Sequence, residues 1–187
     1  EDRLVPPQDL SGNAIDTFIP KLSSDINKVN IDLGCLLKTT EPVFLNKEIL
    51  SSYHVGHHEI ILVSPFLDLE IFHRHHHFGS FLDRAVEDGT EITLVTKPPN
   101  TEYLEVYKDL EQRTIFVYFL EGLHTKLYIF NVDTTKTPQY NKAAKSKIIV
   151  GSANLTKSGF GLDDDHSNYE LCYSLPVEKH AEAYNYA

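Results

Sequence analysis

The first clearly periodic segments of the chain begin near residue 58 and predict a strand followed by a helix. Residues 59–67, EIILVSPFL, form a continuous apolar run rich in isoleucine and valine that is interrupted at Ser64-Pro65. Such a run is typical of a strand that is buried on both faces. Residues 78–89 then place apolar side chains at helical i, i+3 and i+4 spacing, and Gly89 is a natural helix stop.

Further apolar runs continue this alternation and then accumulate as strands. Residues 90–96 predict a strand, and residues 101–113 predict an amphipathic helix with Thr101 as its N-cap. Four more strands are predicted from the apolar runs at residues 114–120, 124–130, 146–152 and 169–175. Residues 178–187 predict a closing helix. We therefore expect an α/β fold in which helices flank a mixed β-sheet.

Length and composition are those of one globular domain. The chain has 187 residues, of which 41% are apolar, and we assign residues 1–187 to a single domain. We expect residues 58–187, which contain the regular apolar patterns, to form the core of this domain. Residues 1–50 predict only loops with one or two short elements. No apolar run reaches the ~18–20 residues that cross a bilayer, so we expect no membrane insertion. Cys35 and Cys172 lack metal-ligand spacing and are expected to be buried thiols in a reduced, cytoplasmic compartment.

Charge is distributed unevenly along the chain. The formal net charge is −10, which argues against a protein that binds nucleic acid over its whole surface. Residues 124–160, however, contain six lysines and one acidic residue, a net charge of +5. This stretch is compatible with an anionic substrate bound at one place. The alternative, which remains open, is that its lysines between residues 136 and 147 only solubilise a loop.

The segment HTKLYIF, residues 124–130, carries the first candidate chemistry. In an extended strand His124 and Lys126 point to the same face, because side chains alternate with a period of two. Tyr128 and Phe130 share that face and could wall a site. A histidine beside a lysine can hold a phosphate between a nucleophile and a cation, although an H-x-K pair alone often occurs by chance.

Two later segments supply complementary polar groups. Ser152 and Asn154 lie two residues apart after a buried strand, and their neutral donors suit non-bridging phosphoryl oxygens. Gly151 permits close backbone approach. Glu170 begins another strand, where its carboxylate could accept a hydrogen bond from Nδ1 of His124 and leave Nε2 free to attack.

Together these segments resemble the phospholipase D superfamily, whose signature is H-x-K-x4-D followed by G-S-x-N and usually a later glutamate. The matching residues are His124-Thr-Lys126, Gly151-Ser152-Ala-Asn154 and Glu170, and residues 59–68 are similar to the family's first core strand. One departure is Asn131, which stands where the motif has aspartate. Because asparagine still donates and accepts hydrogen bonds, we expect an altered structural support and not an inactive site.

The resemblance implies a metal-independent phosphodiesterase that needs no cofactor and acts through a phosphohistidine. His124 would be the nucleophile, while Lys126, Ser152 and Asn154 would bind the phosphoryl oxygens. The missing membrane segment and the local lysines favour a nuclease, of restriction or repair type, with DNA as substrate. A lipid phosphodiesterase is the enzymatic alternative. A non-catalytic module for dimerisation or DNA binding is the alternative from another class.

The reaction also requires a second histidine to protonate the leaving group, and the sequence contains only one complete H-x-K with a following G-S-x-N. We therefore expect a homodimer that shares its active site across a two-fold axis, as the resemblance to single-motif members also implies. The alternative is that this chain is one half of a longer polypeptide with two motifs. The histidines at positions 57, 58, 73, 75, 76 and 77 lack regular ligand spacing, so we interpret them as exposed, with a metal site or a nucleic-acid contact as the alternative. The remaining histidines are His54, His166 and His180, and a position of His166 near the site stays an alternative.

Overall fold

The computed structural model describes residues 35–38, 49, 55–99, 104–137, 145–162 and 170–176. These contain seven strands, two α-helices and one 3₁₀ turn. The strands are β1 (Cys35–Lys38), β2 (His57–Val63), β3 (Glu91–Thr96), β4 (Ile115–Phe119), β5 (Leu127–Val132), β6 (Lys147–Gly151) and β7 (Leu171–Pro176). The helices are α1 (His77–Glu87) and α2 (Leu104–Gln112), and the 3₁₀ turn is Leu69–Phe72.

All seven strands form one mixed sheet in the order β1-β7-β6-β5-β2-β3-β4. Strands β2, β3 and β4 run parallel to one another, with the helices as crossovers between them. The pairs β2–β5, β5–β6, β6–β7 and β1–β7 are antiparallel. The predicted α/β fold with a mixed, helix-flanked sheet is therefore confirmed.

The central strands are buried because they carry apolar side chains on both faces. In β2, Ile60 and Leu62 are 0% and 1% exposed, and in β5 both Ile129 and Phe130 are 0% exposed. Helix α1 covers one face through Phe78 and its neighbours, which join the same core cluster. Burial of a large apolar side chain stabilises the fold by about 1.5–3 kcal/mol, so these positions account for much of its stability.

A buried arginine fixes the two helices and the 3₁₀ turn relative to one another. The side chain of Arg113 is 2% exposed, and its Nε donates to Oδ1 of Asp83 at 2.6 Å. Its Nη1 donates to the backbone carbonyl of Phe72 at 2.8 Å, and its Nη2 donates to that of Gly79 at 3.1 Å. The buried charge is thus paired and also satisfies two buried carbonyls, as a guanidinium can do with its five donors.

Most predicted elements are found within about two residues of their expected ends. Gly89 ends the α1 region with φ +76°, the left-handed conformation that favours glycine. Strand β1 lies in the segment that predicted only short elements, and it pairs with β7. The proposed N-cap Thr101 and the closing helix 178–187 lie outside the described residues. In the described part of the chain, neither helix has the length and apolar character required to cross a bilayer.

Candidate active site

The sheet topology brings the three motif segments to one edge. Strand β5 is antiparallel to β2, and Leu127 at its start pairs with Val63 at the end of β2. On the other side of β5, Leu127 pairs with Val150 near the end of β6. Gly151 pairs in turn with Cys172 near the start of β7. The segments before β5, after β6 and before β7 therefore share the edge at which the parallel strands end.

His124 and Lys126 lie in the extended segment that leads into β5. The His124 side chain is exposed, and Lys126 is half-buried. Nζ of Lys126 lies 2.9 Å from Nδ1 of His124 and donates to the backbone carbonyl of His124 at 2.9 Å. An ammonium group can only donate, so Nδ1 is the acceptor, and the proton of a neutral ring must reside on Nε2.

Ser152 is held at the end of β6 by two hydrogen bonds to the backbone of Leu171. The Ser152 amide donates to the Leu171 carbonyl at 3.1 Å, and the Leu171 amide donates to Oγ of Ser152 at 3.1 Å. The hydroxyl proton has only a long contact of 3.5 Å to the same carbonyl. The exposed hydroxyl of Ser152 can therefore donate to a ligand.

Gly151 permits the close approach of β6 and β7 that positions Ser152. A Cβ added at residue 151 would collide with the carbonyl oxygen of Leu171 and would lie 2.6 Å from Cα of Cys172. No side chain fits at that distance, which explains the glycine of the motif.

These residues line one open cleft of about 590 Å³ at the sheet edge. Its lining consists of His124, Thr125, Lys126, Val150, Gly151, Ser152 and Leu171. The structure thus brings the histidine, the lysine and the serine together, whereas Asn154 and Glu170 are not among the lining residues. The apolar members Val150 and Leu171 were not predicted, because in the sequence they are indistinguishable from other strand residues.

Asn154 and Glu170 are close in the chain to the lining residues Ser152 and Leu171. Oδ1 of Asn154 is buried and has no hydrogen-bond partner in the described part of the chain. Glu170 is 9% exposed and directly precedes Leu171 of the cleft. The hydrogen bond that the structure describes at Nδ1 of His124 comes from Lys126. Pairing of Glu170 with this nitrogen therefore stays a prediction, which requires Lys126 to move.

The prediction that Tyr128 and Phe130 wall the site is wrong. Their side chains are 1% and 0% exposed and belong to the core. The hydroxyl of Tyr128 donates to the carbonyl of Ala153 at 2.5 Å, and burial raises the pKa of Tyr128 well above its usual value. Tyr128 therefore supports the loop between Ser152 and Asn154 from below, and it does not face the cleft.

Asn131 lies near the other end of β5, about 13 Å along the strand from Leu127 at ~3.3 Å per residue. Its Oδ1 accepts a hydrogen bond from Oγ of Ser146 at 3.1 Å. The nearby Asp133 is 2% exposed, and Oδ1 of its side chain accepts from the amide of Thr135 at 2.8 Å. A further hydrogen bond from the Thr135 hydroxyl is the main cause that lowers the pKa of Asp133. This polar cluster organises the turn after β5 and does not contact the cleft.

The lysines of the basic stretch that the structure describes do not form one patch at the cleft. Lys136 donates to the carbonyl of Gly89 at 3.1 Å, and the ammonium of Lys147 lies 5.6 Å from the centroid of the Phe130 ring. Both lie toward the opposite edge of the sheet, which favours the loop-solubilising interpretation for these two lysines. Lys157 forms an ion pair with Glu70. Of the described lysines in this stretch, Lys126 alone lines the cleft.

The other histidines are divided between surface and core. His73 and His75 are exposed and stacked, with ring centroids 5.5 Å apart. His76 accepts the amide of Phe78 at 3.3 Å and so caps α1. His57 is 1% exposed, which corrects its assignment as an exposed residue. Within the described ranges, no three His, Cys, Asp or Glu side chains form a metal-binding cluster. His54, His166 and His180 lie outside those ranges.

Comparison with known proteins supports the fold. No protein-family model matches the sequence, and no curated protein is significantly similar to it. A polyphosphate kinase from Porphyromonas gingivalis superposes with a TM-score of 0.54 at 12% identity, over 91% of this chain and 27% of that one. The chain thus spans about a quarter of the kinase.

Two further solved structures are similar at lower scores. Nuc from Salmonella typhimurium, described as a phospholipase D family member, has a TM-score of 0.49 at 16% identity, over 74% of this chain and 80% of that one. The archaeal chromatin protein TrmBL2, described as having a novel mode of DNA binding, has a TM-score of 0.45 at 11% identity, over 93% of this chain and 59% of that one. The superposition on the kinase shows that the chain shares the α/β fold of that protein. At one edge of the sheet, this fold brings together the three segments on which the resemblance to the phospholipase D superfamily rests.

Proposed function

We propose that this chain is a cytoplasmic, metal-independent phosphodiesterase that cleaves nucleic acid, most readily DNA, through a phosphohistidine on His124. The observation that carries the proposal is the cleft itself. An exposed imidazole, an ammonium group and a hydroxyl with an available proton line one open space at the sheet edge. These are the groups that nucleophilic attack on a phosphodiester requires.

In the proposed first step, Nε2 of His124 attacks phosphorus and the bond to the leaving oxygen breaks. A second imidazole, charged at the start, donates its proton to that oxygen, an effect typically of ~10²–10⁴-fold. Lys126 and Ser152 donate to the equatorial oxygens. In the second step, water attacks the phosphohistidine, gives up a proton to the second imidazole, and releases His124 with the phosphate product.

The contact between Lys126 and His124 suggests that the substrate itself activates the nucleophile by drawing Lys126 away from Nδ1 of His124. With Nδ1 occupied by the ammonium, the proton of the neutral ring blocks Nε2. An incoming phosphodiester competes for Lys126 because charge-assisted bonds to phosphate are strong. Once Lys126 has left, Nδ1 can carry the proton and donate it to Glu170, and Nε2 becomes the nucleophile. Asn154 would complete the phosphate site after a small rearrangement of its loop.

The second imidazole is supplied, in this proposal, by an identical chain across a two-fold axis. The His124 side chain is exposed, so it is accessible to a partner that approaches this edge of the sheet. A nucleic acid substrate is favoured over a lipid because Lys97 follows β3 at the same edge as Lys126 and adds positive charge there. Asn131 does not argue for an inactive module, because it lies at the opposite end of β5.

The decisive experiment tests the covalent intermediate. The protein is incubated with bis-p-nitrophenyl phosphate, DNA or phosphatidylcholine in the presence of EDTA, quenched in alkali, and analysed by mass spectrometry of its peptides. We expect turnover of DNA and a phosphoryl adduct on the peptide that contains His124. His124→Asn should abolish both, whereas His75→Asn, which changes another exposed histidine, should change neither. Loss of activity in EDTA with rescue by Mg²⁺ or Zn²⁺ would contradict the mechanism.

Subunit mixing tests the shared site. Sedimentation at micromolar concentration should give a dimer. Titrating an excess of His124→Asn chain into the wild-type protein should suppress activity, because each composite site requires two intact imidazoles. A monomer with full activity, or mixed subunits that retain all wild-type turnover, would refute the two-fold arrangement. Turnover of phosphatidylcholine but not of DNA would contradict the nuclease activity and favour the lipid phosphodiesterase.

A further inference from the structure

An exposed aromatic surface lies on the same sheet edge as the cleft. It consists of Phe66, Lys97, Phe119 and Leu120, which we call the aromatic edge. Phe66 follows β2, Lys97 follows β3, and Phe119 ends β4, so the three strands that end in parallel each contribute to it. Phe66 is 57% exposed, Phe119 45% and Leu120 54%, although these side chains are large and apolar.

The loop that presents Phe66 is fixed to the G-S-x-N segment. Oγ of Ser64 accepts the amide of Leu155 at 3.0 Å and donates to the carbonyl of Phe66 at 2.7 Å. On the other side of Phe66, the amide of Asp68 donates to the carbonyl of Leu155 at 2.8 Å. Leu155 follows Asn154 directly, so the backbone that carries the exposed ring is hydrogen-bonded to the segment of the proposed phosphate site.

A cation accompanies this ring. Nζ of Lys97 lies 4.9 Å from the centroid of the Phe66 ring, a cation–π distance. Because the ammonium lies over the ring, Phe66 combines an apolar stacking surface with a positive charge at one point. Proteins that bind single strands use this combination, with aromatic rings for the bases and cations for the backbone.

The aromatic edge also has the correct position relative to the cleft. Strand β2 is the direct neighbour of β5, which follows His124, and β3 and β4 lie beyond β2 in that order. At ~4.8 Å per strand, a path from β5 to β4 covers about 14 Å along the edge. A polynucleotide with one phosphate at His124 would therefore pass Phe66 first, then Lys97 and then Phe119.

We propose that the aromatic edge binds unpaired nucleobases that flank the scissile phosphate, so that the substrate class is single-stranded nucleic acid. Phe66 stacks on the adjacent base, and Lys97 binds a neighbouring phosphate. A base in a duplex is covered by its neighbours on both faces and cannot stack on a protein ring without being extruded. This proposal specifies the substrate class of the proposed nuclease and therefore rests on that function.

The test measures the affinity for a fluorescent single-stranded oligonucleotide and for the duplex of the same sequence by anisotropy, with the full chain. The single strand should bind more tightly. Phe66→Ala should weaken its binding roughly 5- to 150-fold, the effect of losing one stacked base. Phe66→Trp should retain the affinity, whereas Phe66→Leu should lose it as alanine does. Phe116→Ala is the matched control, since Phe116 is 46% exposed on β4 but lies toward the other end of that strand.

Lys97→Ala tests the charge separately. It should reduce the slope of log affinity against log salt concentration by about 0.7, the value for one phosphate contact on a single strand. Equal affinity for single strand and duplex, or equal effects of Phe66→Ala and Phe116→Ala, would overturn the proposal. So would a Phe66→Ala effect on binding to phosphatidylcholine vesicles and not on binding to DNA.

The two proposals fail in different ways. Tight, Phe66-dependent binding of single strands without any phosphohistidine would refute the proposed function and leave the aromatic edge as a binding surface. A phosphohistidine on His124 with equal turnover of single strand and duplex would refute the aromatic edge and leave the phosphodiesterase.

Discussion

His57 should make the stability of this protein depend on pH. Its side chain is 1% exposed, and its ring makes edge contacts with Phe81 and Phe130 at centroid distances of 6.1 and 6.2 Å. Its Nε2 has no hydrogen-bond partner among the described residues. Burial, together with the positive charge of Lys147, lowers the pKa of His57 from 6.5 to about 4. The folded protein therefore holds this imidazole neutral under mildly acidic conditions.

The sign follows from proton binding in the two states. Between pH 6.5 and about 4, the unfolded chain binds a proton at residue 57 and the folded chain does not. The free energy of unfolding therefore falls as pH falls through this window. At 1.36 kcal/mol per pH unit, the contribution of His57 should be about 2.5 kcal/mol smaller at pH 4.5 than at pH 7. That is a large part of a typical stability of about 5–15 kcal/mol.

Urea denaturation of the wild type and of His57→Leu at pH 7 and pH 4.5 measures this contribution. All other acidic and histidine side chains titrate in both proteins, so the difference between their pH dependences isolates residue 57. The loss of stability on acidification should be about 2.5 kcal/mol smaller in His57→Leu. His75→Leu should keep the wild-type dependence, because His75 is exposed. If His57→Leu loses as much stability as the wild type, the inference of a buried neutral imidazole is wrong.

Three further substitutions test other parts of the structure. Arg113→Met should destabilise the fold by about 3–5 kcal/mol in urea denaturation, because it leaves a carboxylate and two buried carbonyls without their donor. Arg84→Met, at an exposed site, should change the free energy of unfolding by less than about 0.5 kcal/mol. Equal effects of the two substitutions would contradict the structural role of Arg113. Gly79→Ala should destabilise the fold by about 1–3 kcal/mol, because the added Cβ would lie 2.5 Å from the carbonyl oxygen of Phe72. Gly122→Ala should be nearly neutral, because no atom lies within 4 Å of a Cβ at that position. Asn131→Asp, which introduces the aspartate of the motif that this sequence resembles, should change turnover less than twofold, and a large gain would show that residue 131 does influence the cleft.

The secondary structure was largely predictable because the apolar runs are long and bounded by turn residues. Strand β2 ends before Ser64-Pro65, and Gly89 provides the left-handed residue that follows α1. Strand β1 could not be predicted, because its four residues form a strand only through pairing with β7. Strand order was also beyond the sequence, since it depends on contacts between distant segments.

Residue type and spacing were enough to propose a site, and three of the proposed residues, His124, Lys126 and Ser152, line one cleft. Their surroundings could not be predicted. The error at Tyr128 and Phe130 has a physical cause. Alternation of side chains from His124 onward would place Tyr128 and Phe130 on the face of His124. However, β5 begins only at Leu127 and is a central strand with apolar side chains on both faces. In such a strand, alternation does not separate core from cleft. The contact of Lys126 with Nδ1 of His124 depends on side-chain conformation, which no sequence pattern specifies.

The positions of Asn131 and His57 explain why they can depart from expectation without affecting the cleft. Both lie toward the edge of the sheet opposite to His124, since His57 pairs with Val132 and Val63 pairs with Leu127. An altered side chain there changes the turn after β5 or the stability of the core. The length of strands β2 and β5 separates it from the cleft that contains His124. The edge that carries the cleft is different, because hydrogen bonds between neighbouring loops hold Ser152 against Leu171 and hold the segment around Phe66 against Leu155. Substitutions at this edge should therefore change turnover and substrate choice with little effect on stability, while those at the opposite edge should do the reverse.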